Sequence, residues 1–484
     1  MTERGCVERR MYVAGAWVTA EGGRTYSIAN PATGEPLADV PFASPADVDT
    51  TASLAADACV AWGRTSLDHR VAVLEEVARR LRENADALAL TDALELGSPV
   101  RAMRADVLSA IERIHYFCGI VRELRGECMG NSEQQLHYTL RQPFGVAACL
   151  VAFNHPLKFA VVKAMPALLM GNAVIIKPAE QTPLSALDLA ELVGGLFPTG
   201  VFNVLTGDGP ETGAALVHHP SIRRIGLIGG VETGRQVLRA AAEGIKTVTL
   251  ELGGKNPIIV CPDADLDAAI EGIVAGMNFT RNQGQSCGST SRLFLHGGAR
   301  EYVLPRLLER VRRIRPGLPT EPQTEMGCLV SREHLARVMG YIDGAQKEGA
   351  VLLTGGRPPD DPRLARGCFL EPTILDRVTP TMTVAREEVF GPVLSVLTWT
   401  DEETLIGCVN DVIYGLTASI WTRDLATAHR LASRVEAGYV WINGASRHYT
   451  GLPFGGWKQS GLGRAEHMEE LLSYTQTKAV TLHL

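Results

Sequence analysis

The sequence predicts an α/β protein built around a parallel, doubly wound sheet. Between Gly145 and Leu252, short apolar runs alternate with helical patterns, and this alternation is typical of βαβ units. A second α/β segment runs from about Pro257 to Asn443. Because no internal repeat and no low-complexity linker separates the segments, we expect domains that share a substantial interface.

The N-terminal part predicts strands followed by helices. Ser44 suits the N-cap of a first helix, since a proline and an aspartate follow it in the first turn. A longer amphipathic helix should follow, with apolar residues from Val71 to Leu88 on one face, and should end before Gly97.

The repeating α/β pattern assigns elements to each segment. In the first segment, strands are expected at residues 146–153, 173–177, 201–205, 224–228 and 247–252. Helices are expected between them at residues 157–170, 184–194, 211–217 and 232–242. Strands of the second segment are expected near residues 258–261, 293–296, 351–354, 393–400, 417–422 and 439–442.

Two further stretches predict β structure outside these segments. The polar region 124–142 interrupts the helical pattern and suits a hairpin. The tail 473–484 alternates β-branched and polar residues and predicts a terminal strand. An unpaired edge would aggregate, so we expect this strand to pair, and another subunit is one candidate partner.

Composition and charge exclude several classes of protein. The chain has 484 residues, of which 45% are hydrophobic and 21% charged, and these values are typical of globular proteins. Its net charge of −7, without a run of like charges, disfavours nucleic-acid and anionic-membrane partners. Residues 1–10 are charged where a signal peptide needs an apolar stretch, and no long apolar span follows, so we expect a cytoplasmic protein.

The ten cysteines lie singly along the chain, without a C-x-x-C pair or a histidine at metal-ligand spacing. We therefore expect a reducing compartment, no disulfide framework and no metal site. Most of the thiols should be small buried hydrophobic groups.

Two glycine-rich turns were tested against nucleotide-binding fingerprints. Residues 207–213 miss the G-x-G-x-x-G spacing by one, and a proline removes an N–H that a phosphate would need. Residues 229–235 have P-loop spacing but lack the Lys-Ser/Thr pair, which disfavours a kinase or NTPase. The second turn lies between a strand and a helix, so its backbone can still contact a pyrophosphate.

Two residues stand out as candidates for chemistry. Cys287 lies in a small, glycine-flanked loop, where a substrate can approach closely and the backbone N–H is free to bind an oxyanion. Glu251 ends an apolar strand, where burial would raise its pKa into the range of a general base. Context alone leaves the alternatives open that Cys287 is an unreactive loop thiol and that Glu251 faces water.

A set of longer motifs resembles the aldehyde dehydrogenase superfamily across essentially the whole chain. The motifs are FNHP at 153–156, GNA at 171–173, KPAE at 177–180, ELGGK at 251–255, GQSC at 284–287, EVFGP at 388–392 and PFGGWKQSG at 453–461. The resemblance implies a Rossmann-like NAD-binding domain (1–123 and 143–252) and an α/β catalytic domain (253–458). It also implies a β oligomerisation hairpin and tail (124–142 and 459–484), in a homodimer or homotetramer.

The resemblance also implies oxidation of an aldehyde to a carboxylic acid through a thiohemiacetal and a thioester on Cys287. Asn154 would help to hold the oxyanion, and Glu251 would activate the hydrolytic water. The implied cofactor residues are Lys177, Glu180, Gly229, Gly234, Glu388, Phe390 and Phe153. Glu180 would repel a 2′-phosphate, which favours NAD, although a cation such as Lys177 can offset this and leaves NADP as the alternative.

The same resemblance gives a substrate funnel that is polar for the family. The matching residues are His155, Phe159, Val162, Ser286, Gly288, Arg447, His448 and Phe454. We hypothesise that Arg447, together with His448, anchors a substrate carboxylate or hydroxyl; pairing of Arg447 with an acidic neighbour is the alternative.

Three departures from the family pattern are expected to matter. Position 230 is glycine where the family usually has a hydroxyl, and Phe153 replaces a frequent tryptophan. Ala465 replaces a common glutamate, so hydrolysis of the thioester is expected to be slower or to use bulk water. Two alternative functions remain, a CoA-acylating semialdehyde dehydrogenase and a catalytically silent scaffold of the same fold.

Overall fold

The protein is described by a computed structural model for residues 7–483. The first six residues of the charged N-terminal stretch, including Cys6, lie outside the described residues, as does Leu484 at the end of the expected tail strand.

Helices occupy the outer layers of the fold. Those of the described chain are α1 (Pro45–Gly63), α2 (Leu67–Glu83), α3 (Ala85–Leu96), α4 (Val100–Ile120), α5 (Pro156–Leu169), α6 (Leu184–Val193), α7 (Ala214–His218), α8 (Val231–Glu243), α9 (Leu266–Gly276), α10 (Phe279–Asn282), α11 (Gly297–Arg312), α12 (Arg332–Lys347), α13 (Thr383–Arg386), α14 (Glu402–Asn410), α15 (Leu425–Arg434) and α16 (Met468–Leu472).

Strands form the inner layers and several smaller ribbons. They are β1 (Val7–Glu8), β2 (Met11–Val13), β3 (Ala16–Val18), β4 (Thr25–Ala29), β5 (Pro36–Pro41), β6 (Gln135–Pro143), β7 (Val146–Leu150), β8 (Ala173–Lys177), β9 (Phe202–Val204), β10 (Ile222–Ile228), β11 (Thr247–Glu251), β12 (Pro257–Val260), β13 (Arg292–His296), β14 (Val351–Thr354), β15 (Thr373–Asp376), β16 (Val393–Trp399), β17 (Tyr414–Gly415), β18 (Thr417–Trp421), β19 (Tyr439–Ile442), β20 (Trp457–Lys458), β21 (Gly461–Leu462) and β22 (Thr475–His483).

The first large sheet has the strand order β21-β11-β10-β7-β8-β9-β2-β3. Strands β7 to β11 are parallel, whereas the edge pairings that involve β21, β2 and β3 are antiparallel. The chain adds β8 and β9 on one side of β7 and then returns to add β10 and β11 on the other side. Such a reversal creates a crevice at the carboxyl ends of the strands. The doubly wound sheet predicted for this segment is therefore confirmed.

The second large sheet, β14-β15-β16-β13-β12-β18-β19, is also parallel except at its β14 edge. Alternate residues of the central strands face opposite cores, as the pleat requires. In β8, Val174 and Ile176 join one apolar cluster and Ile175 joins another. Both faces of the sheets are thus covered by helices, which explains why these strands are almost uniformly apolar.

Predictions for the N-terminal helices were partly right. Ser44 caps α1 by accepting a hydrogen bond from the backbone N–H of Asp47, and Pro45 occupies the first helical position, as expected. The long amphipathic helix is divided into α2 and α3, because the backbone leaves helical geometry at Asn84. It does end at Gly97, whose φ of 88° provides a left-handed C-cap.

The expected hairpin region and tail strand form one two-stranded antiparallel ribbon. β22 pairs with β6 of the same chain along nine residues, from Thr475 opposite Pro143 to His483 opposite Gln135. The tail strand therefore pairs, as predicted, and its partner is found within the chain.

Candidate active site

The predicted site residues gather at the carboxyl ends of the first parallel sheet. Asn154 follows β7, Lys177 ends β8, Gly229 follows β10 and Glu251 ends β11. In-register pairing of β10 with β11 places Ile228 opposite Glu251, so these ends lie side by side. The crevice created by the strand reversal lies here.

A tightly held loop carries Cys287 to this crevice. The loop begins after α10 with two left-handed residues, Gln283 (φ 58°) and Gly284 (φ 72°), and a side chain at Gly284 would strike the Gly391 carbonyl. The Asn256 side chain donates to the Cys287 carbonyl at 2.7 Å and to the Ser289 carbonyl at 3.0 Å. Asn256 is 1% exposed and was not singled out in the sequence, but it fixes the backbone around the thiol.

Cys287 and Glu251 meet in the crevice. The distance from Sγ of Cys287 to Oε1 of Glu251 is 3.9 Å, and both side chains are half-buried. Burial, followed by the charges of Glu251 and Glu388, raises the pKa of the Cys287 thiol well above its usual value. Burial also raises the pKa of Glu251; Lys163 opposes this change and Glu466 adds to it. The resting pair is therefore a thiol beside a carboxyl group that is a stronger base than usual.

Two hydrogen-bond donors near the thiol are free to bind an oxygen atom. The Asn154 side chain is 2% exposed and lines the crevice. Within residues 7–483 neither the Asn154 amide nor the Cys287 backbone N–H has a hydrogen-bond acceptor. Because the protein leaves these donors unpaired, their position beside Cys287 suits an oxyanion.

A cleft of about 1170 Å³ lies on one side of Cys287 and Glu251. Lys177 and Glu180 line it at the end of β8. The Lys177 ammonium donates to the Pro178 carbonyl at 2.8 Å, and burial lowers the pKa of Lys177 to about 8. Glu180 is exposed and its carboxylate accepts from the neighbouring Gln181 at 3.1 Å.

The N-terminus of α8 opens into the same cleft. Gly229 and Gly230 line it, and Gly230 is the N-cap but gives no side-chain hydrogen bond to the helix. A Cβ built on Gly230 would meet nothing within 4 Å. Gly234 lies away from the cleft lining, since it is buried against Leu252, where a Cβ would lie 2.6 Å from a methyl carbon. The first turn of α8 therefore offers free backbone N–H groups to an anion.

The second sheet supplies the opposite wall of the cleft. Glu388 accepts a hydrogen bond from the Gly254 backbone N–H at 3.0 Å, and burial raises the pKa of Glu388 to about 7. Phe390 and Phe153 pack edge to face, with ring centroids 5.6 Å apart. Both rings line the cleft, so these three predicted residues are brought together with Cys287.

A second cavity, of about 470 Å³, lies on the other side of Cys287 and Glu251. His155, Phe159, Arg447 and His448 line it, as do Val162, Ser286 and Gly288. Phe454 does not line it, because this side chain is 1% exposed and stacks against the His448 ring at 4.3 Å. Phe454 therefore supports the cavity wall from behind.

A buried carboxylate that the sequence analysis missed organises one wall of this cavity. Asp106 of α4 is fully buried and contacts His155 and Arg281 at 2.5 Å each, and Lys158 at 3.8 Å. Burial alone would raise the pKa of Asp106, but these three partners hold it well below its usual range. The other His155 ring nitrogen lies 3.1 Å from the Asn282 side-chain nitrogen. Both His155 nitrogens are thus engaged by the protein.

Two further carboxylates lie at the opposite wall, next to Ala465. Glu466 is held by Arg113 at 2.7 Å and His448 at 3.2 Å, and its pKa is lowered to about 2, mainly by His448 acting against burial. Glu470 forms a buried ion pair with Lys163 at 3.1 Å. Both residues line the cavity that also contains Glu251. Position 465 therefore has no carboxylate, but two carboxylates follow it in the chain, at Glu466 and Glu470.

The described residues were also searched for disulfides, metal-binding clusters and membrane-spanning helices. Nine cysteines are free, and five of them are buried: Cys118, Cys149, Cys261, Cys328 and Cys368. In residues 7–483, no cluster of three metal-ligating side chains occurs. Over the same residues, no helix is both long and apolar enough to cross a membrane.

Comparisons with known proteins point to one family. The model of the aldehyde dehydrogenase family matches residues 17–480. A curated relative, the aldehyde dehydrogenase tropH of Talaromyces stipitatus, is 46% identical over 481 residues, which are 98% of this chain and 93% of that protein.

Solved structures give the same result. An aldehyde dehydrogenase from Bacillus cereus, solved in complex with NAD⁺, superposes with a TM-score of 0.95 at 38% identity, covering 99% of this chain and 97% of that chain. Betaine aldehyde dehydrogenase from Staphylococcus aureus, also in complex with NAD⁺, superposes with a TM-score of 0.95 at 32% identity, covering 99% and 95%.

Proposed function

The chain belongs to the aldehyde dehydrogenase family, and we propose that it oxidises an aldehyde to a free carboxylic acid with NAD, using Cys287 as nucleophile and Glu251 as general base. One observation carries the proposal. The thiol and the carboxyl group lie where two cavities meet, so a cofactor and a substrate can reach the same sulfur from opposite sides.

Cys287 would form the first bond to the substrate. The Cys287 thiol would give its proton to water in the crevice while the sulfur attacks the carbonyl carbon. The C–S bond forms as the carbonyl double bond becomes an alkoxide. The Cys287 backbone N–H and the Asn154 amide are the donors available to that alkoxide, and stabilising it lowers the barrier.

The residues of the larger cleft fit NAD. The open first turn of α8 at Gly229 and Gly230 suits the pyrophosphate, and Lys177 with Glu180 suits the adenine ribose. Glu388 and Phe390 would hold the nicotinamide ribose and ring, and Phe153 packs beside them. When bound, NAD accepts the hydride that leaves the substrate carbon. The exposed carboxylate of Glu180 disfavours the 2′-phosphate of NADP.

Hydrolysis of the resulting thioester would be the task of Glu251. Its raised pKa makes it a better base towards water, which attacks the carbonyl carbon and releases the Cys287 sulfur as the leaving group. Since Ala465 offers no carboxylate, the proton would leave Glu251 through water in the substrate cavity, which reaches Glu251 directly.

Two other functions are disfavoured by residues of the site. A CoA-acylating enzyme has no need of a general base for water, and Glu251 stands next to the thiol. A catalytically silent scaffold has no need to keep Cys287, Glu251 and Asn154 together in one crevice, and all three line the larger cleft.

The direct test is NADH formation with a panel of aldehydes and with NAD or NADP, each with and without CoA. We expect NADH and free acid without CoA, and a preference for NAD. A strict requirement for CoA would favour the acylating alternative. Clear binding of NAD without turnover of any aldehyde would favour the silent scaffold.

We also propose a homodimer or homotetramer assembled through the ribbon of β6 and β22. An isolated two-stranded ribbon is marginally stable in water, and this one exposes apolar side chains such as Leu140 and Leu482. The domain bounds given above, with segments 124–142 and 459–484 as oligomerisation elements, follow the same proposal. Because Cys287 must remain a thiol, a reducing compartment such as the cytoplasm suits the enzyme.

A further inference from the structure

Lys158 is a charged side chain of the smaller cavity whose ammonium has no hydrogen-bond partner in residues 7–483. It lies in the first turn of α5, four residues after the oxyanion donor Asn154, and its side chain is 14% exposed. Among residues 7–483, the one carboxylate within 4 Å of the ammonium is Asp106, at 3.8 Å, and that group also contacts His155 and Arg281.

The fold gains little from a lysine at this position. A positive charge in the first turn of a helix opposes the helix dipole, and burial of most of a lysine side chain disfavours its charged form. Burial lowers the pKa of Lys158, which reflects this cost. Its neighbours Leu157 and Phe159 are buried apolar residues of the same helix, so an apolar side chain could replace it.

Arg447 adds a second cation to the same cavity. The loop around it is fixed: its carbonyl accepts a hydrogen bond from the Trp441 indole at 2.8 Å, and Ser446 donates to Asn278 at 2.7 Å. The Arg447 guanidinium is exposed and has no carboxylate within 4 Å in the described part of the chain. The pairing with an acidic neighbour that we considered for this residue is not observed.

Apart from Glu251 beside the thiol, the other buried carboxylates of the cavity are paired within the protein. Glu466 binds Arg113 and His448, and Glu470 binds Lys163. Glu112, at the rim, is exposed. A ligand group that faces Lys158 would therefore meet a cation whose nearby carboxylate, Asp106, is shared with His155 and Arg281.

From this arrangement we propose that Lys158 and Arg447 bind an anionic group on the substrate, so that the enzyme acts on aldehydes that carry a carboxylate or a comparable acidic group. This inference rests on the proposed function and names its substrate class. The aldehyde carbon would lie at Cys287 and the acidic group further along the same cavity, which Lys158, Arg447 and Cys287 all line. Lys158 and Arg447 would then act as specificity-determining residues.

The test compares matched pairs of aldehydes: 4-oxobutanoate with pentanal, and 4-carboxybenzaldehyde with 4-methylbenzaldehyde. We expect kcat/KM of the wild-type enzyme to be higher for the acid of each pair. In Lys158→Met the ratio of acidic to neutral kcat/KM should fall by about 10- to 100-fold, the range of a hydrogen bond to a charged group. Arg447→Met should lower the same ratio, and Lys158→Arg should restore much of it.

The exposed Lys347 of α12 provides a matched control, since Lys347→Met removes the same charge far from the cavity and should leave the ratio unchanged. A second measurement does not depend on turnover: calorimetric binding of succinate and of butyrate to the wild-type enzyme. Tighter binding of succinate, weakened in Lys158→Met, would support the proposal.

The outcomes separate this inference from the proposed function. Equal or better oxidation of the neutral aldehydes by the wild-type enzyme would overturn the inference and leave the dehydrogenase function intact. An unchanged ratio in both Met variants would overturn it as well. If no aldehyde is oxidised, the proposed function fails, and equal binding of succinate and butyrate would then refute the anionic subsite independently.

Discussion

Replacing Glu251 by glutamine should separate the two half-reactions of the enzyme. Glutamine keeps the size of the side chain at the end of β11 but cannot accept a proton. Loss of a general base costs about 10²- to 10⁴-fold in rate, or about 3–5 kcal/mol in barrier height. We expect the upper half of this range, because Glu466 and Glu470 are held in ion pairs and cannot replace the base.

Rapid mixing with NAD and a good aldehyde would measure the effect. The glutamine variant should release close to one NADH per active site in a burst and then turn over slowly, because the thioester on Cys287 accumulates. Mass spectrometry of the quenched protein should show the acyl group. Cys287→Ala should bind NAD but give no burst, and Glu469→Gln, the same change at an exposed residue of α16, should behave as the wild type.

Two results would refute the reasoning. A steady-state rate within threefold of the wild type would show that another group activates the water. Equal loss of the burst and the steady-state rate would place the role of Glu251 before the thioester, as the base for the Cys287 thiol with which it is in contact.

Three further predictions follow from the packing and charges of the site. Asp106→Asn should lower the free energy of unfolding, measured by urea denaturation, by about 3–5 kcal/mol, because it leaves buried cations unpaired. Asp68→Asn, at the surface, should change that free energy by under about 1 kcal/mol. Gly234→Ala should lower the free energy of unfolding by about 1–3 kcal/mol, because its Cβ would strike a leucine, and calorimetry should show weaker NAD binding. Gly230→Ala should fold normally, because its Cβ would meet no atom within 4 Å. Burial raises the pKa of Glu251, and only the ionised carboxylate acts as the base. The steady-state rate should therefore fall as the pH decreases through a value above the usual pKa range of glutamate. The pH–rate profile of Glu251→Gln should lack this fall on its acidic side.

The sequence predicted the sheets well because buried parallel strands have a clear signature. The runs at Ala173–Lys177, Val351–Thr354 and Tyr439–Ile442 are strands with the expected bounds. Strand β15 was missed, since a run of four residues after Pro372 is too short to distinguish from a loop. The division of one long helix at Asn84 was also missed, because the apolar face continues across the break and only the backbone geometry changes.

The residues of the site likewise divide into those that the sequence predicted and those that it did not. Motifs located Cys287, Glu251 and Asn154, and the structure brings them together in one crevice. Asp106 and Lys158 were not found, because each is one charged residue in a helix and sequence spacing alone does not show which cavity a helix faces. A usable signal exists for Asp106: it lies between Met103 and Val107, on the buried face of α4, where a carboxylate needs partners.

Much of the cavity wall beside Cys287 comes from residues far downstream of it in the chain, including Trp441, His448, Glu466 and Glu470. The ion pair of Lys163 with Glu470 joins residues 307 positions apart. A chain still emerging from the ribosome therefore carries the thiol before the wall beside it exists, and native closure of the site waits until Glu470 has been synthesised. A premature stop between Cys287 and Trp441 should consequently damage this enzyme as severely as one placed far earlier.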